Sequence, residues 1–209
     1  MPAICEDIFY TMVTTKNEWT ILIFTITYTL LFGIYFGSIG NFEFLWYVGI
    51  LSALILLVIF LHSRFRFSTV VLWAISIWGL LHMIGGSDIA EKRTYARMIY
   101  PLFPAEVAGT DILRYDQFMH FYVYVVVTLM IFYILSPYMK KEIPRWLFGA
   151  TLVITGIGVG AINEMIEFVP VLVFGNTGVG DYFNTLWDIV FNTAGALFSL
   201  VYLVMSKKI

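Results

Sequence analysis

Six runs of about twenty mostly apolar residues, near 18–37, 43–62, 68–86, 115–136, 146–166 and 184–205, constrain this chain more than any other feature. A run of that length crosses the hydrocarbon of a bilayer as a helix, because a helix satisfies its backbone N–H and C=O groups internally. The breaks between the runs carry turn chemistry: Gly37 to Asn41, His62 to Arg66, a polar stretch 87–114, Ser136 to Pro144, and Gly175 to Gly180. Only 12% of the 209 residues are charged, against about 25% in a soluble domain. The expected fold is therefore all-α, an integral membrane helical bundle. It has six transmembrane helices in a single transmembrane domain over 1–209, with an outer loop at 87–114.

The same composition excludes several classes. A net charge of -2 with no Lys/Arg block gives no surface for nucleic acid. The lone Cys5 rules out an internal disulfide and reads as an inert thiol. Glu6 and Asp7 stand where a cleavable signal would carry basic residues, so no signal peptide is expected. No Lys lies in mid-span to form a Schiff base with retinal, and no Gly-x-Ser-x-Gly elbow offers a serine nucleophile. The many aromatic residues read as lipid contacts and interface anchors.

Lys and Arg set the orientation. With both termini cytoplasmic, the inside holds Lys16, Arg64, Arg66, Lys140, Lys141, Arg145, Lys207 and Lys208. The outside holds Lys92, Arg93, Arg97 and Arg114, all in or beside one loop. Eight against four favours both ends inside, in the cell (inner or plasma) membrane.

Against this apolar background, ionisable residues inside or at the mouths of spans stand out: His82, Asp116, His120, Glu164, Glu167, Asp181 and Asp188. Each costs roughly 2.5–3.5 kcal/mol near a bilayer centre on insertion scales, and less near the interface. In the orientation above, His82 ends the third span and Asp116 with His120 begins the fourth. Glu164 and Glu167 end the fifth, and Asp181 and Asp188 begin the sixth. All therefore fall in the outer leaflet. Asp116 and His120 are spaced i,i+4 and Glu164 and Glu167 i,i+3, so each pair shares a helix face. Asp181, Asn184, Asp188 and Asn192 form one stripe that continues through Gly195 and Ser199. Gly149, Gly156 and Gly160 lie on the stripe that carries Glu164 and Glu167. Small residues there allow close helix contact. A funnel below the outer surface is expected.

Carboxylates gathered with an imidazole suit Zn²⁺, Mn²⁺ or iron, and with fewer imidazole contacts Mg²⁺ or Ca²⁺. Two other readings compete: a metal-free network of shared protons, and polar groups that only lock helices together. His82, followed by Met83-Ile84-Gly85-Gly86, is either a helix cap or a site residue. His62, beside Arg64 and Arg66, reads as interfacial. The glycine-rich turn 175–181 leads into a helix, where backbone N–H groups hold anions, yet it lacks the Lys-Ser/Thr of a P-loop and reads first as a plain turn. The loop 87–114 mixes both charge signs and reads as a self-paired surface loop, with a headgroup-contacting lid as the alternative.

These residues also carry a likeness. Asp116-Gln117-Phe118-Met119-His120-Phe121, Asn163-Glu164-Met165-Ile166-Glu167, and Asp181 with Trp187-Asp188 and Asn192-Thr193-Ala194-Gly195-Ala196 resemble the VanZ-like membrane proteins over about 110–205. With Leu81-His82 and Gly85-Gly86 added, the chain is similar to the related YjdF-like group of bacterial membrane proteins from about residue 80. The resemblance implies a cell-envelope role and leaves the reaction open. VanZ-like proteins commonly carry Gln where this chain has Glu167, and an Arg in the turn before the last helix, where 168–187 has none. The pocket is correspondingly more acidic, which favours a cation.

The leading expectation is a metal-dependent membrane enzyme, a hydrolase or transferase, acting on a lipid headgroup or lipid-linked envelope intermediate. Asp116, His120, Glu164 and Asp188 hold a divalent metal ion, and Glu167 or His82 serves as general base or acid. Asn192 orients Asp188, with Asp181 and Asn184 in support. The competing classes are a proton- or cation-coupled transporter and a non-catalytic envelope scaffold. No repeat relates 18–86 to 115–205, and the inner half of the spans lacks matching acids, which weighs against a conduction path.

Overall fold

A computed structural model of the protein describes residues 15–89, 92–100, 113–140, 142–175, 177 and 179–209. Cys5 and its neighbours, the loop segment 101–112, Lys141, Asn176 and Gly178 lie outside the described residues. The chain forms two compact units, Met1–Met83 and Ile84–Ile209.

The first unit carries α1 (Lys16–Ser38), α2 (Phe42–Phe65) and most of α3 (Thr69–Gly85). A reciprocal capping box starts α1: Thr15 Oγ1 accepts from the Glu18 N–H, and a Glu18 carboxylate oxygen accepts from the Thr15 N–H. Asn41 caps α2 by accepting from the Phe44 N–H at 3.1 Å. Arg66, in the left-handed region at φ 50°, ends α2 and returns its N–H to the His62 carbonyl. The interior of this unit is sparingly polar. Thr25 and Ser76 share a 2.6 Å hydrogen bond between α1 and α3, and Tyr28 donates to the Ser76 carbonyl at 2.9 Å. Glu18 meets the buried His62 ring at 3.2 Å.

In the second unit a short antiparallel pairing, Asp88–Ile89 with Lys92–Arg93, leads into a 3₁₀ turn over Thr94–Ala96. Three long helices follow: α4 (Tyr115–Leu135), α5 (Arg145–Phe174) and α6 (Tyr182–Met205). Gly180, at φ +90°, opens α6. A Cβ there would stand 2.8 Å from Asn184 carbons, so the turn closes onto Asn184 only with glycine. The glycine stripes foreseen in the sequence lie inside this unit. Gly195 sits directly against the backbone of Phe121 and Val125, joining α6 to α4. Gly156 faces Thr128 and Ala196, and Gly160 faces Asn192. Ser199 donates to the Val125 carbonyl at 2.6 Å. Towards the other end of these helices, Ile131, Phe148, Leu152 and Leu203 form a buried apolar cluster.

Exposure runs opposite to that of a soluble bundle. On α6 the buried face is Asn184, Asp188, Asn192, Gly195, Ala196, Ser199 and Leu203, while Leu186, Val190, Phe198 and Val201 are exposed. A helix that hides its polar stripe and shows its apolar one is solvated by lipid. Among the described residues five helices, all but α3, are long and apolar enough to cross a membrane. The 17 residues of α3 rise about 25 Å, at the short end of a spanning length. Among the described residues the fold is helical apart from this short pairing and an isolated bridge between Met98 and Arg114, with five to six apolar helices of a multi-pass membrane protein. α5 differs from the 146–166 expected: it continues through Pro170 to Phe174, so Glu164 and Glu167 lie inside a helix and not at its end. Membrane helices tolerate such a proline because neighbouring groups re-satisfy the freed carbonyl.

Candidate functional site

Antiparallel packing brings the start of α4, the later half of α5 and the start of α6 to one level of the second unit. His120 is the centre. Its Nε2 lies 3.6 Å from Asp116 Oδ1 and 3.8 Å from Glu167 Oε1, and its Nδ1 lies 3.6 Å from Glu164 Oε1. Nδ1 also stands 3.0 Å from Asn192 Oδ1, a carbonyl oxygen that only accepts. With the amide in that orientation a ring proton sits on Nδ1, and Nε2 faces Asp116 and Glu167.

Asn184 ties the mouth together. Its amide nitrogen donates towards Asp188 Oδ2 at 2.6 Å, Asp116 Oδ2 at 3.2 Å and the Val179 carbonyl at 3.2 Å. Three acceptors compete for two hydrogens. Its Oδ1 accepts from Arg114 Nη2 at 2.6 Å, so a guanidinium stands one side chain away from the carboxylates. Asn163 donates to Glu167 Oε1 at 2.7 Å and fixes that carboxylate on α5. Gln117 braces the entry of α4 by accepting from the Leu113 and Arg114 N–H groups.

Depth is graded. Asp181 is exposed and caps α6 through the Asn184 N–H at 3.0 Å. Asp116 and Glu167 side chains keep 21% and 17% exposure, and Glu164 keeps 10%. Asp188 has none. Two carboxylate oxygens in this chamber, Asp188 Oδ1 and Glu164 Oε1, are buried with no hydrogen-bond partner among the described residues. Leaving such an atom unsatisfied is costly. Two triads have donor atoms within 4.8 Å of one another: Asp116–His120–Asp188 and His120–Glu164–Glu167. The Nε2 contacts of 3.6 Å to Asp116 and 3.8 Å to Glu167 are too long for hydrogen bonds. They match two donors placed around one cation at about 2.0–2.2 Å from each.

The structure thus gathers Asp116, His120, Glu164, Glu167, Asp188, Asn184 and Asn192. Asn192 binds His120, while the amide in contact with Asp188 belongs to Asn184. His82 lies in the first unit, with its ring stacked on Trp78 at 5.2 Å and flanked by Tyr47 and Phe44. Arg114 and Asn163 were not anticipated. Asn163 stands i,i+4 from Glu167, a spacing visible in the sequence. Arg114 reads there as one more loop charge.

From residue 8 to residue 208 the chain matches the family described as Predicted membrane protein (DUF2238). It belongs to that family. The match spans all six helices and thus every residue of the chamber. No curated protein and no solved structure matches the chain.

Proposed function

We propose that this DUF2238 protein holds a divalent cation in the chamber of α4–α6 and uses it on a lipid headgroup or lipid-linked intermediate of the cell envelope. The observation that carries the reading is Asp188 Oδ1: a fully buried carboxylate oxygen without a hydrogen-bond partner among the described residues, in a triad with Asp116 and His120. Nε2 of His120, Asp116 and Asp188 supply the donors, and Asn192 and Asn184 orient them from behind. A mixed nitrogen and oxygen set suits Zn²⁺, Mn²⁺ or Fe²⁺. Bound there, the cation polarises a carbonyl or phosphoryl oxygen or lowers the pKa of a water. Glu167, partly exposed and steadied by Asn163, is the group that takes or returns a proton.

Orientation follows the Lys/Arg balance, with both termini cytoplasmic and the chamber opening outward. The motif likeness to VanZ-like and YjdF-like proteins supports work in the envelope. Transport is the weaker reading. Beyond Ser199 the interior of α4–α6 closes over Ile131, Phe148, Leu152 and Leu203, and no acid stands there among the described residues. The test is elemental analysis of purified full-length protein, followed by chelation. Stoichiometric transition metal and a chelator-sensitive melting temperature are expected. Protein with no metal, whose melting ignores both chelator and added metal, ends the reading.

A further inference from the structure

We propose that the chamber takes two divalent cations, the second held by Glu164 and Glu167. This rests on the first cation at Asp116, His120 and Asp188.

The first ion leaves one demand unmet. An imidazole nitrogen binds one metal, and Nδ1 of His120 is already committed to Asn192 Oδ1. The two ring nitrogens point away from each other, so an ion on Nε2 lies across the ring from Glu164, whose Oε1 stands on the Nδ1 side. That ion answers Asp188 Oδ1. It does not answer Glu164 Oε1, the second buried oxygen without a hydrogen bond among the described residues, on a side chain nine-tenths buried. Each triad therefore carries its own buried oxygen without a hydrogen bond among the described residues, and the two belong to different helices. Glu167, whose Oε1 lies 3.8 Å from Nε2, belongs to the second triad yet faces the first. It is placed to share its carboxylate between the ions, and its role as the proton-transferring group then belongs to the chamber loaded with the first ion alone.

Charge permits it. Four carboxylates surround His120, and the cation joined to them through Asn184 is Arg114. One divalent ion with that guanidinium leaves a net negative charge inside the protein, where charge is poorly solvated. A second ion moves the balance from -1 to +1, a net charge of the same size, so charge allows a second ion and the unmet oxygen of Glu164 is what calls for it. The two positions differ in chemistry. The first has an imidazole and suits Zn²⁺, Mn²⁺ or Fe²⁺. The second is all oxygen and suits harder ions such as Mg²⁺, Mn²⁺ or Ca²⁺. Mn²⁺ fits both.

The experiment uses metal-stripped full-length protein in lipid nanodiscs, titrated with Mn²⁺ and read by equilibrium dialysis and electron paramagnetic resonance. Wild type should bind two Mn²⁺ per chain and give a spin-coupled spectrum at saturation. Glu164→Gln should bind one, uncoupled, and Asp188→Asn should likewise lose one. Wild-type saturation at a single uncoupled Mn²⁺, lost in Asp188→Asn and kept in Glu164→Gln, overturns the second ion and leaves the first. A single ion lost only in Glu164→Gln, or two ions that persist in it, also overturns the assignment. No bound Mn²⁺ in wild type overturns both readings, and the wild-type count needs no variant to fold.

Discussion

Asn192 Oδ1 accepts the Nδ1 proton of His120 at 3.0 Å, a hydrogen bond that crosses from α6 to α4 where both residues are buried. It fixes the tautomer and the plane of the ring together. Asn192→Ala should therefore lower affinity for a cation at Nε2 by about 10–100-fold, the usual effect of losing such a second partner. Asn192→Asp, which keeps an acceptor at that position, should recover most of it. Metal affinity measured by competition with a chromophoric chelator checks both. Equal affinity in Asn192→Ala and wild type would mean that the ring does not serve a metal.

The acids and His120 are legible in the sequence because helical periodicity aligns them within each helix and span order brings the start of α4, the later half of α5 and the start of α6 to one side. Nothing in that periodicity tells which helix a given amide faces. Asn192 sits i,i+4 from Asp188 and so reads as its neighbour, yet close approach at Gly195 brings α4 near enough for His120 to take that contact. Asn184 becomes the partner of Asp188 instead. Arg114 is equally silent, since its role depends on the turn that carries it across to α6. The length of α5 is not legible in the apolar run 146–166 alone, because the helix continues past that run and through Pro170 to Phe174.

Asp188→Asn separates a cation from mere pairing. In wild type, metal at a hundred times its Kd should add about 2.7 kcal/mol to stability, and chelation should remove it. The amide is isosteric, deletes a ligand and relieves repulsion among the remaining carboxylates. The variant should lose the part of the metal response that belongs to the ion at Asp116, His120 and Asp188, and should respond to metal and chelator only through an ion at Glu164 and Glu167. If the carboxylates only pair with one another, chelator leaves wild type unchanged and the substitution destabilises directly. Thermal melts in detergent with and without chelator distinguish the two.

Gly195 sets the distance between α6 and α4, because any Cβ there runs into the Phe121 and Val125 backbone. Backbone cannot step aside as a side chain does. Gly195→Val should destabilise the protein by about 1–3 kcal/mol, the usual cost of overpacking, and should also weaken metal binding by pushing His120 away from Asn192. Gly158→Ala, where nothing lies within 4 Å, is the control and should change neither. Thermal melts and metal titration of the two variants check this. An unperturbed Gly195→Val would show that the α4–α6 contact is not what holds the chamber.

Orientation has the most direct test. If both termini are cytoplasmic, Arg97 and Thr177 lie on the outer side and Lys140 on the inner side, because an odd number of spans separates each of the first two from the third. In a Cys5→Ser background, single cysteines replacing Arg97 or Thr177 should react in intact cells with a membrane-impermeant maleimide. A cysteine at Lys140 should react only after permeabilisation. Labelling at 140 with 97 and 177 silent would invert the protein and open the chamber to the cytoplasm. The chemistry at Asp116, His120 and Asp188 would stand in either case, since it depends on α4–α6 packing and not on which face they meet. What would change is the substrate, from an envelope intermediate on the outer leaflet to a lipid presented on the inner one.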